Sequence, residues 1–129
     1  FVQPDVSHAG GITELRKIAA IAESHHIPFC PHNPSGPVAN AATLQLAASQ
    51  PGFYLLETMA SDVPWRREVC DESVTLHDGE MHIPLDRPGI GVDIDEAAIA
   101  KHPYQPIGLR HYKGTLTEIR PADAKAFYQ

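Results

Sequence analysis

Three short apolar runs, each closing on an ionisable residue, alternate with two helical patterns at the start of the chain. The runs are Phe1-Val2-Gln3-Pro4-Asp5, Ile27-Pro28-Phe29-Cys30-Pro31-His32 and Phe53-Tyr54-Leu55-Leu56-Glu57. Between the first two, Ile12, Leu15, Ile18, Ala19 and Ala22 recur at helical spacing. Glu14, Arg16, Lys17 and Glu23 fall mostly on other faces, which predicts a helix over residues 12–24. Gly10-Gly11 allows a tight strand-to-helix turn, and Pro28 stands beyond the helix end. Asn33-Pro34-Ser35-Gly36-Pro37 reads as a loop whose last proline suits the first turn of a second helix. That helix, Val38 to Ser49, is rich in alanine with Leu44 and Leu46, and Pro51-Gly52 breaks it. Phe53 to Leu56 is too uniformly apolar for a sheet with one wet face, so a buried strand is expected.

Residues 1–57 therefore read β-α-β-α-β, a pattern that implies parallel strands with covering helices. Polar groups at the C-terminal ends of such strands are where a β/α barrel keeps its chemistry. After Met59 the helical periodicity fades. Val74-Thr75-Leu76-His77, Asp78-Gly79 and Met81-His82-Ile83-Pro84 predict a β-hairpin. Pro88-Gly89-Ile90-Gly91 is rich in turn formers, and Asp95 is placed to cap a short helix from Glu96 to Lys101. Residues 103–129 carry four aromatics and three prolines and read as an irregular tail that docks on something.

The 129 residues suffice for one modest domain with a real core. A net charge of −6 without a basic cluster argues against nucleic acid and anionic membrane as partners. No apolar run approaches the roughly 20 residues of a membrane helix. No basic stretch with an apolar core opens the chain, so no signal peptide is expected. Phe1 to Asp5 reads as a strand end with no initiator methionine, so the chain is expected to begin inside a fold. Cys30 and Cys70 make no disulfide framework and suit a reducing compartment. Cys30 is expected to be a small buried hydrophobe. A Cys30–His32 metal pair has no second ligand pair at zinc spacing.

Asp5, His32 and Glu57 each have a plain reading: a turn carboxylate, a structural histidine and a charge at a strand end. Together they place three ionisable groups on one end of one sheet. Such a set suits a difficult proton transfer. Removing the α-proton of a carboxylate leaves an enediolate whose charge must be neutralised by a metal. A histidine held by an aspartate serves as base, because the carboxylate fixes the tautomer and stabilises the imidazolium. A protonated glutamate can hydrogen-bond the oxygen where charge builds.

The motifs resemble the C-terminal part of an enolase-superfamily enzyme of the mandelate racemase branch. The match runs through Gln3-Pro4-Asp5, Ala9-Gly10-Gly11-Ile12-Thr13-Glu14, Pro31-His32-Asn33-Pro34-Ser35-Gly36-Pro37, Leu56-Glu57 and Pro88-Gly89-Ile90-Gly91-Val92-Asp93-Ile94. The loop after His32 most resembles galactonate dehydratase and related sugar-acid dehydratases. The resemblance implies an α/β fold, the C-terminal portion (strands 6–8) of a (β/α)7β TIM-like barrel, with a C-terminal segment that joins a capping domain. Residues 1–60 would be the last three strands and their helices, and residues 61–129 a helical and irregular segment, hairpin and tail packed on barrel and cap. It implies that His32 is the base, that Asp5 orients it, and that Glu57 supports the enediolate, with dehydration to a 2-keto-3-deoxy sugar acid.

The family's Mg²⁺ ligands, three carboxylates on earlier strands, have no counterpart in the chain. Mg²⁺ is therefore expected on the N-terminal part of the same enzyme, and the isolated chain is expected to be inactive. The expected partners are a small-molecule sugar acid, that N-terminal part, on the same or a separate polypeptide, and further copies in a homo-oligomer, in the cytoplasm. His8, beside the Gly10-Gly11 turn, faces the same end as Asp5. Asn33 and Ser35 are further candidates to line the substrate pocket. Trp65, Arg66 and Arg67 are placed to meet substrate hydroxyls or the cap, His25-His26 to close a helix, and His111-Tyr112-Lys113-Gly114 to form docking surface. Two alternatives stand beside the dehydratase: a racemase, epimerase or cycloisomerase using the same Asp5–His32 pair, and a non-catalytic half-barrel that serves as an interaction module.

Overall fold

A computed structural model describes residues 1–59, 64–71 and 76–104. The predicted first helix forms as α1, Gly11–Ser24, with Leu15, Ala19 and Ala22 buried. Gly10 caps it at φ 99°, a left-handed conformation that L side chains resist, and a Cβ there would lie 2.8 Å from the Glu14 Cγ. His25 is the C-cap. His26 turns the chain at φ 54°, a conformation histidine tolerates better than most residues. The second helix forms as α2, Pro37–Ala48, with proline in its first turn as expected.

The three apolar runs lie side by side and parallel, with the second in the middle. Val2 bridges to Phe29, Asp5 to His32, and Phe29 to Phe53. The pairing is thinner than the continuous strands the sequence predicts, and the prolines explain why. Pro4, Pro28 and Pro31 have no N–H to give. Their carbonyls accept from His32 at 3.2 Å, Val2 at 2.9 Å and Glu57 at 3.2 Å. Each proline thus joins the ladder in one direction only. Val6 and Phe29 meet Leu15 and Ala19 of α1 and Leu46 of α2 in one core, with Val2, Ala9, Ala39 and Ala42 packed against it.

One expectation is corrected. The third run is not buried: Phe53 is 39%, Tyr54 69% and Leu55 47% exposed. Among the described residues, only the second run pairs with it, and Phe53 to Leu56 line an open cavity with Leu44, Leu76, Met81 and Ile83. The apolar composition of residues 53–56 was read as burial on both faces, but burial needs a neighbour that local sequence does not supply.

Beyond the sheet, α3 (Arg66–Val69) is a single turn that periodicity did not predict. The hairpin is present but short: β1 (Leu76–His77) pairs antiparallel with β2 (Glu80–Met81). Asp78 at φ 50° and Gly79 at φ 82° make the turn, both in the left-handed region that a two-residue hairpin needs. The expected strand residues Val74 and Thr75 lie outside the described residues, and His82 to Pro84 carry no ladder. Helix α4 is Glu96–Ala100, and the Asp95 carboxylate accepts from the Ala98 N–H at 2.9 Å, the predicted cap. Val69, Cys70 and Ala98 form a second small core with Trp65 and Val92. Arg87 pairs with both Asp71 and Asp93 beside it. Cys30 and Cys70 are free and buried, as expected of Cys30. The expected tail, including His111 to Gly114, lies outside the described residues.

Candidate acid/base site

Asp5 ends the first run at the point where the chain turns toward α1. Its side chain is 6% exposed, yet both oxygens are satisfied. Oδ1 accepts from the Ser7 N–H at 2.7 Å and the His8 N–H at 3.2 Å, a local turn that fixes the carboxylate plane. Oδ2 lies 2.8 Å from His32 Nδ1. Burial alone pushes this carboxyl up. The bonds from His32 and the Ser7 amide, with the two nearby imidazoles, outweigh burial and hold it below its ordinary value of 3.8. It is therefore an anion at neutral pH.

His32 ends the second run, and its backbone N–H donates to the Pro4 carbonyl one residue before Asp5. The parallel Asp5–His32 bridge thus places the two side chains together by backbone geometry. Since Asp5 can only accept, the Nδ1 proton is assigned by this contact, and Nε2 carries the lone pair. Glu57 ends the third run, and its Oε2 lies 3.9 Å from His32 Nε2, beyond hydrogen-bond range. His32 and Glu57 are about half exposed, at 42% and 45%. The three predicted residues are thus brought together, with a buried anion behind the imidazole and an accessible nitrogen in front.

His8 joins the group: its Nδ1 is 3.2 Å from Asp5 Oδ1, with the side chain 74% exposed. The structure turns Asn33 inward. It is fully buried and its Nδ2 donates to Asn40 Oδ1, while its own Oδ1 is buried without a partner among the described residues. Ser35 presents its carbonyl to Arg66 Nη2 at 3.0 Å. Trp65 stacks on the His102 ring, with centroids 4.3 Å apart. Sequence reading passed over Asn40 and Thr58. Asn40 sits in the first turns of α2, 3% exposed, and Thr58 Oγ1 donates to its Oδ1 at 3.1 Å. The available signal was a lone amide on the stripe of an alanine-rich helix that also buries Ala41, Thr43 and Leu44.

The described residues do not fit a Mg²⁺ site. Among the described residues no group of three or more His, Cys, Asp or Glu side chains is arranged to hold a metal ion. Likewise, no described helix is long and apolar enough to cross a membrane.

With this geometry, the family can be stated. Residues 1–98 match the profile of the family described as "Enolase C-terminal domain-like", and the chain belongs to it. It is 42% identical over 123 residues to a D-galactonate dehydratase family member of Streptomyces bingchenggensis, covering 92% of this chain and 29% of that protein. It is 44% identical over 107 residues to a D-mannonate dehydratase of Caulobacter vibrioides, covering 81% of this chain and 26% of that one. Among solved structures, a mandelate racemase/muconate lactonizing enzyme from Sulfitobacter sp. superposes with TM-score 0.73 at 35% identity, covering 82% of this chain and 26% of that one. The likeness to the mandelate racemase branch and its sugar-acid dehydratases is thus established. The chain spans 29% and 26% of the length of the two curated relatives.

Proposed function

We propose that this chain supplies the base-bearing strand ends of a sugar-acid dehydratase of the galactonate dehydratase type. In this reading Asp5, His32 and Glu57 end the sixth, seventh and eighth strands of a (β/α)7β barrel, and the earlier strands come from the N-terminal part of the same enzyme. The observation that supports it is the Asp5 Oδ2–His32 Nδ1 contact of 2.8 Å, with the free His32 nitrogen facing Glu57 at 3.9 Å.

His32 Nε2 takes the proton from the carbon beside the substrate carboxylate. Asp5 keeps the proton on Nδ1 and offsets the charge of the imidazolium that forms. Glu57, as the carboxylic acid, donates to the substrate oxygen on which charge develops. Loss of the neighbouring hydroxyl as water then gives a 2-keto-3-deoxy acid. Mg²⁺ has no ligands among the described residues; held by the N-terminal part, it would supply countercharge for the substrate carboxylate.

The test is to incubate the complete enzyme with D-galactonate, D-mannonate and further aldonic and aldaric acids. A 2-keto-3-deoxy acid, lighter than its substrate by one water, is expected. A product of unchanged mass would instead favour the racemase, epimerase or cycloisomerase reading, for which the likeness to a mandelate racemase/muconate lactonizing enzyme is support.

A further inference from the structure

We propose that Asn40 is a positioning residue, one that sets the spacing between His32 and Glu57 through a single buried oxygen. This rests on the roles just given to His32 and Glu57. The two groups lie on neighbouring runs and are joined by no hydrogen bond of their own, since 3.9 Å is too long. What ties the runs together beyond the sheet is the residue that follows each. Asn33, next after His32, donates to Asn40 Oδ1. Thr58, next after Glu57, donates to the same oxygen at 3.1 Å.

Asn40 is well placed to act as this anchor. It stands on α2, and its N–H bonds to the Gly36 carbonyl at 3.0 Å, so the helix's first turn holds its backbone. Asn40 and Asn33 are 3% and 0% exposed, so water is poorly placed to substitute for the bond between them, while Thr58 reaches the same oxygen from a half-buried position. A buried amide oxygen that loses its donors, or donors that lose their acceptor, cannot be re-satisfied cheaply. The loop carrying the base and the segment carrying the acid are therefore locked to one point on a rigid element. A shift of one of them by about 1 Å is enough to cost a large factor in rate.

Variants of the complete enzyme are compared on whichever of D-galactonate and D-mannonate it turns over faster, by kcat, KM and exchange of the substrate α-proton with solvent deuterium. Asn40→Leu, which keeps bulk without the acceptor, is expected to lower kcat on the order of tenfold or more with little change in KM. Thr58→Val should lower kcat in the same sense, Thr58→Ser should restore it, and Asn40→Leu/Thr58→Val should be no worse than Asn40→Leu alone. Folded Asn40→Leu and Thr58→Val enzymes that both keep kcat within about twofold of wild type would overturn the proposal. Should Asn40→Leu fail to fold, the threonine variants decide: equal kcat for valine and serine overturns it, and a loss restored by serine supports it. His32→Asn separates this from the underlying reading. If His32→Asn abolishes exchange while the Asn40 and Thr58 variants are normal, only the positioning role fails. If His32→Asn keeps exchange, the base assignment itself fails.

Discussion

Asp5 shows how an unfavourable placement becomes useful. A carboxylate at 6% exposure would ordinarily be driven toward its neutral form, yet two backbone amides and an imidazole reverse that. The consequence for stability has a definite sign. The folded pKa lies below 3.8, so as pH falls the unfolded chain takes up the proton first. The contribution is complete above about pH 4 and is lost as acid carries the pH down through the folded value. Asp5→Asn in the complete enzyme should therefore be less stable than wild type at neutral pH, with the gap closing as the pH falls below 3.8 and through the lower folded value, as read by urea midpoints at each pH. The same variant should lose kcat on the order of a hundredfold or more, since the imidazole would no longer be held in its working tautomer. The convergence of Asp5, His32 and Glu57 was legible because each closes an apolar run, and the sheet brings run ends together. The role of Asn40 was not, because an asparagine amid alanines reads as a solvent-facing side chain until two donors from distant segments meet on it.

At the level of elements, the local signals that survive folding are those with a local cause. Helix α1 follows its apolar spacing, α2 starts at its proline, and Asp78-Gly79 makes the turn its left-handed angles require. The cap of α4 is of the same kind. Asp95→Ala should cost about 1 kcal/mol of local stability and speed exchange of the Ala98 amide, measured by hydrogen exchange; an unchanged Ala98 rate would show that the cap contributes nothing. Where an element depends on a distant partner, the sequence says less. The prolines that make the runs look like rigid strand ends also deprive the ladder of donors, so bridges replace continuous strands. Apolar composition in residues 53–56 signalled burial but could not say against what.

At the scale of the whole molecule, three parallel runs expose one apolar edge through Phe53, Tyr54 and Leu55, and the chain spans 29% and 26% of its two curated relatives. Open apolar edges of this kind are normally paired or covered. In the function proposed above, that cover would be the N-terminal part of the enzyme, which would also bring Mg²⁺ to the end of the sheet where Asp5, His32 and Glu57 meet. The family was readable because its motifs fall at the loops after the runs, where chemistry constrains residue type. The exposure of the third run was not, because what lies along its outer edge is not set by the local sequence. The most direct measurement is α-proton exchange in deuterated solvent by the complete enzyme carrying His32→Asn, with substrate binding checked separately. If His32 is the base that Asp5 steers, the variant binds the sugar acid but incorporates no deuterium beside its carboxylate; incorporation at a rate close to wild type would show that another group removes that proton.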